Sequence, residues 1–249
     1  FVRGTLEVIA LHELVHHFLF KAGLSPSDFL WFHEGMAQYI SIEVADELGY
    51  MGASTERDRL RVGALQLAPY GEDFSFLQEW KPETQPVDVT ALYVASYHIV
   101  SKLAKKYGGL DYYERFFELI EGKEVEDNSV LGYYLSLAAD TSVAPDLRKL
   151  GFDIVDLYSL PALVDEAERA VYGLSPAFQP YRFLAEYLYK QGLTYLEKGD
   201  TEKASQYLEV SISLARSAPL LTLITVAAIL VAIIYIFEVH KVSPEPSNH

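Results

Sequence analysis

His12-Glu13-Leu14-Val15-His16 is the segment of this chain most able to do chemistry. On a helix, residues four apart share a face, so both imidazoles can reach one metal ion at about 2.0–2.1 Å. The Glu between them lies near the ion's open side. There a carboxylate can take the proton of a water whose pKa zinc lowers to about 7, as that water attacks a carbonyl. His12 and His16 are therefore read as metal ligands and Glu13 as the general base.

Two imidazoles do not complete a site, and the next apolar segment supplies a third donor. Trp31-Phe32-His33-Glu34-Gly35-Met36-Ala37-Gln38-Tyr39 places Glu34 18 positions after His16. A carboxylate on an apolar helix needs a partner, and one Zn2+ per chain provides it. Gly35 is read as making room for close approach to the first helix. His17 is rotated about 100° from His16 and cannot easily share its metal. His33 is turned away from the site by the same rotation next to Glu34. Gln38, one turn after Glu34, is read as orienting a ligand histidine.

At these residues the chain resembles the gluzincin metallopeptidases, the thermolysin-like group that holds zinc with two His and a downstream Glu. It is most similar to their aminopeptidase N and leukotriene hydrolase branch. That branch carries its third ligand in a W-L-N-E-G segment, matched here by Trp31-Phe32-His33-Glu34-Gly35 with one residue fewer in the intervening loop. Its Y-E-K-G segment, whose Tyr polarises the scissile carbonyl, aligns with Tyr93-Val94-Ala95-Ser96-Tyr97, although the Glu and Lys are absent here. The resemblance implies that Tyr93 is a second catalytic residue, with His98 as the rival donor. It covers roughly Leu6 to Asp153 and implies a peptide or protein substrate. The segment that recognises the substrate α-amine in that branch lies ahead of the zinc helix, so exo- and endopeptidase action are both left open. The same resemblance favours an extracytoplasmic side for the catalytic domain.

The elements that must position these residues are helical. Gly4-Thr5 precedes a helix through Phe20 that ends before Gly23, and Leu6, Val8, Ile9, Leu11, Leu14, Val15 and Phe18 are expected to seat it in the core. Ser25-Pro26-Ser27-Asp28 starts a second helix, with a capping Ser, Pro at the first position and Asp in the first turn, running to about Leu48. Asp88 caps a third, which carries Lys105 and Lys106 in its last turn and stops at Gly108-Gly109. Asp111 opens a fourth that ends near Gly122. Tyr70 to Pro86 reads as an ordered loop bordering the cleft. No strand of convincing length is present.

Farther along, Tyr181 to Ser217 reads as two helices joined at Lys198-Gly199-Asp200. Leu188, Gly192, Tyr195, Gly199, Ala204 and Leu208 give this hairpin a resemblance to a single tetratricopeptide repeat. One such repeat cannot bury its own face, so it is expected to pack on a neighbour or to serve as a stalk. Leu220 to Phe237 is an uncharged run of 18 residues. As a helix it is about 27 Å long, near the thickness of a thin bilayer's hydrocarbon. Arg216 and Lys203 before it and Lys241 after it are too even a split to orient it.

Composition narrows the classes that remain. The chain of 249 residues is half apolar and carries 20 basic against 35 acidic residues, a net −15, which disfavours a nucleic-acid partner. It contains no cysteine, excluding disulfides, thiolate zinc ligands and thiol catalysis. It opens at Phe1 without an initiator Met or a signal peptide, and reads as a fragment or a trimmed product.

The expected architecture is mainly α. A gluzincin C-terminal helical catalytic lobe occupies residues 1–155, with its N-terminal lobe missing, and a linker occupies 156–180. The single-repeat-like hairpin spans 181–217, one transmembrane helix 219–238 and a tail 239–249. The expected protein is a single-pass membrane-anchored zinc peptidase. The alternative is a non-catalytic membrane scaffold derived from a peptidase, with the hairpin docking a partner.

Overall fold

The computed structural model describes residues 4–65, 67, 71–83 and 88–242, with the backbone alone for 237–242. Both ends of the expected Tyr70–Pro86 loop and the tail from residue 243 lie outside the described residues, as does the Lys241 side chain. The chain divides into two compact units, Phe1–Tyr158 and Ser159–His249. Among the described residues every regular element is helical.

The first unit is arranged around one buried helix. Helix α1 spans Thr5–Lys21 and α2 spans Pro26–Glu47. The Ser25 hydroxyl accepts from the Ser27 N–H and starts α2 as expected. From Trp31 to Tyr39 every residue of α2 is buried. A helix apolar on all sides needs neighbours on all sides, and α2 has them: α1, α3 (Gly52–Gly63) and α4 (Val89–Tyr107) pack around it. Asp88 caps α4 by accepting from the N–H groups of Thr90 and Ala91. Helices α5 (Leu110–Ile120), α6 (Asn128–Ala139) and α7 (Ala144–Lys149) follow in the same unit. The Trp31 indole donates to Asn128 Oδ1 at 3.1 Å, and Phe32 meets Phe116 and Tyr113 edge-on, so the middle of α2 is held from several directions.

Two expectations about α1 and α2 are corrected. Of the apolar residues assigned to the core face of α1, only Val8 and Val15 are buried, joined by Leu19. Leu6, Ile9, Leu14 and Phe18 are exposed, because α1 packs on α2 and α3 along one side only. Gly35 does make a close approach, but to α4 and not to α1. A Cβ built there would lie 2.6 Å from the Ser96 carbonyl oxygen. Helix α3 was not foreseen: its sequence is rich in charge, and Leu60 is the large side chain it buries.

The second unit holds α8 (Leu160–Tyr172), α9 (Tyr181–Glu197) and α10 (Thr201–Val242). The stretch expected to be a linker, 156–180, therefore contains a helix. Leu160, Ala167 and Val171 are the buried residues of α8, which packs on α10 and α9. The hairpin arm and the apolar run are likewise one element, a 42-residue helix that continues through Pro219. Asp200 caps it, accepting from the Lys203 N–H at 3.2 Å. Gly192 of α9 lies where a Cβ would sit 2.9 Å from Leu208 Cγ, so the two arms meet at the shortest side chain. Nearer the α8–α9 corner, the Tyr181 hydroxyl stands 2.7 Å from Thr225 Oγ1. The apolar part of α10 is long enough to cross a membrane, and none of it is buried within the protein.

Candidate metal centre

The side chains of His12, His16 and Glu34 converge. His12 Nε2 and His16 Nε2 lie 3.1 Å apart, and Glu34 Oε2 is 3.4 Å from the first and 3.5 Å from the second. Four ligands at about 2.0–2.1 Å in a tetrahedron stand roughly 3.3–3.4 Å from one another, so these atoms form one face of such a site. Glu34 Oε2 is buried and has no hydrogen-bond partner. Its nearest polar neighbours are the two imidazole nitrogens, so all three donors face one small space. A cation at the centre of the triangle would satisfy all three, and the residues can hold one metal ion. Burial alone would push the Glu34 carboxyl up, but the facing imidazoles outweigh it and hold its pKa down to about 2.

The helices set this geometry in different ways. His12 and His16 share a face of α1 by helical repeat alone. Glu34 reaches them because Gly35 lets α2 rest on the α4 backbone and because the α1–α2 turn is pinned. The pin is His33, which the sequence reading set aside. Its Nε2 donates to the Leu24 carbonyl at 2.8 Å, and its ring lies nearly parallel to that of His16 at 5.7 Å. Burial, more than the Leu24 hydrogen bond opposes it, pulls the His33 pKa down, so the imidazole is neutral. It lies outside the His12, His16 and Glu34 group and backs His16 within it. Its only sequence signal was a histidine following Trp31-Phe32 inside an apolar helix.

Glu13 is exposed on α1 and opens into a cleft of about 270 Å³ beside His12. Tyr93 and Gln38 line the same cleft, with Val8, Ile9 and Leu60 as apolar wall and Glu56 and Arg59 of α3 at its edge. His12, Glu13 and Tyr93 thus line one cleft from α1 and α4, with Glu34 of α2 beside His12. Burial, then the Glu34 and Glu13 carboxylates, raise the Tyr93 pKa, so its phenol stays protonated and able to donate. Gln38 does not orient a ligand histidine. Its Nε2 donates to the Tyr93 carbonyl at 3.2 Å and fixes α4 at that residue instead. His98 packs edge-on against Phe74, and His17 is exposed. The contributions of Glu56 and Arg59 had no sequence signal, because α3 itself had none.

Comparison with protein-family models, with curated proteins and with solved structures returns no match.

Proposed function

We propose that this chain is a membrane-anchored zinc metallopeptidase of the gluzincin kind. The reading rests above all on the buried Glu34 oxygen that faces both imidazole nitrogens of a His12-Glu13-Leu14-Val15-His16 helix at 3.4 and 3.5 Å. His12, His16 and Glu34 would hold the ion. A bound zinc ion supplies a Lewis acid that polarises a carbonyl and lowers the pKa of water to about 7. Glu13, facing the cleft from the same helix, accepts a proton from the attacking water and delivers it to the leaving amine nitrogen. Tyr93 donates its phenol O–H to the carbonyl oxygen, and this hydrogen bond strengthens only as negative charge develops there. The apolar part of α10 anchors the protein in the bilayer, with the α9–α10 hairpin as its stalk.

The test is metal removal. Full-length protein in detergent, assayed with a library of internally quenched peptides, should lose hydrolysis on treatment with phenanthroline. Activity should return on adding about one zinc per chain. Zinc-loaded protein that cleaves no peptide would leave the scaffold reading in place.

Tyr93→Phe removes one hydroxyl and nothing else. Metal content and fold should persist while kcat falls by about 10²–10³-fold, the usual loss for one oxyanion donor. Should Tyr93→Phe keep its kcat while His98→Ala collapses it, the donor is His98.

A further inference from the structure

The apolar surface of the second unit does not end with α10. Ala170 to Tyr181 is a run of 12 residues without a charge, in a chain where 22% are charged. It contains the corner between α8 and α9, and the Pro176–Phe178 turn within that corner packs against α10. The Thr225 hydroxyl donates to the Leu221 carbonyl at 2.9 Å, so its single proton is used and the Tyr181 O–H must donate to Thr225. Thr225 lies five residues past Leu220, about 7–8 Å into the apolar run. The corner is therefore tied to α10 below the point where its uncharged stretch begins.

Part of the corner's backbone is already hydrogen-bonded within the corner itself. The N–H groups of Gly173 and Leu174 donate to the carbonyls of Arg169 and Val171, and that of Phe178 to the Ser175 carbonyl. The Ala177 N–H donates to Ser175 Oγ, while Pro176 and Pro180 have none to satisfy. Phe183 and Leu184, which follow the corner on α9, are 68% and 47% exposed, and Leu220 and Leu223 on α10 are 61% and 66% exposed. These exposed apolar side chains stand on the two helices that the Tyr181–Thr225 hydrogen bond ties together.

We infer that the α8–α9 corner is a second membrane contact, seated in the headgroup and upper acyl region of the leaflet that α10 enters at Leu220. Tyr181 holds it at that depth through Thr225, as interfacial tyrosines do with one end apolar and the other polar. Arg182 follows the corner, where a long cationic side chain can reach back to the headgroups, while Arg216, one turn before the span, is paired with Glu166 of α8. The inference rests on α10 crossing the bilayer.

Because the chain has no cysteine, single-cysteine variants of the full-length protein carry one label each. Ala177→Cys and Phe183→Cys report the corner, Ile229→Cys the span, and Glu197→Cys the aqueous end of the hairpin. Each is labelled with an environment-sensitive NBD dye in phosphatidylcholine nanodiscs holding either 5-doxyl or 12-doxyl lipid. Labels at 177 and 183 should be quenched several-fold more by the shallow 5-doxyl probe than the label at 197, and the label at 229 more by the deep probe. If 229 is quenched while 177 and 183 match 197, the corner is in water: the inference fails and the anchor stands. If 229 is not quenched either, the anchor fails and the corner with it. Stronger deep than shallow quenching at 177 would put the corner in the bilayer core and overturn its interfacial placement.

Discussion

Glu13→Gln is expected to keep a full complement of metal while losing hydrolysis on the order of 10²–10⁴-fold, the range for removing a general base. The two halves of this expectation have separate causes. Glu13 stands outside the triangle of His12, His16 and Glu34, so its carboxylate is not needed to hold the ion. It lines the cleft, and an amide at that place keeps shape and polarity but is not basic enough to take a proton from water. Metal analysis and single-turnover peptide hydrolysis on the same preparation separate the two. Turnover near wild type would move the base elsewhere, with Glu56 at the cleft edge as the first residue to examine. Loss of metal along with activity would instead make Glu13 a ligand.

His16→Ala should reduce bound metal from about one ion per chain to almost none. The mutation removes one corner of the donor triangle and leaves His12 and Glu34, two ligands where a catalytic zinc site uses three. It also strips Glu34 of one of the imidazoles that hold its carboxyl ionised. A second readout follows by mass action. Zinc at about 100 times its Kd stabilises the wild-type fold by about 2.7 kcal/mol, raising its melting temperature, and should leave the variant unmoved. Full metal occupancy in His16→Ala would sink the assignment of the site.

The parts of the site that were legible in the sequence are those made by short-range rules. His12 and His16 meet because four residues make roughly one helical turn. The starts of α2 and α4 were readable because Ser25 and Asp88 satisfy N–H groups two or three residues away. Glu34 was recognisable as a carboxylate out of place in an apolar helix. The structure brings it together with the two histidines across the α1–α2 turn, as a group that could hold a metal ion.

By itself, then, the sequence determined the helical class, the donor types and the apolar run near the C-terminus. Hydrogen-bonding groups and hydrophobicity repeat along the chain at helical spacing, and a reader needs no partner element to see them. Only the tertiary structure decided which surfaces meet. It turned Gly35 toward Ser96 of α4, set His33 behind His16, and brought the charged helix α3 to the cleft edge. It also left the outer face of α1 bare and joined hairpin and apolar run into one helix with α8 packed beside them. Such contacts depend on how side chains of distant segments fill space against each other, and packing between remote residues has no period along the chain.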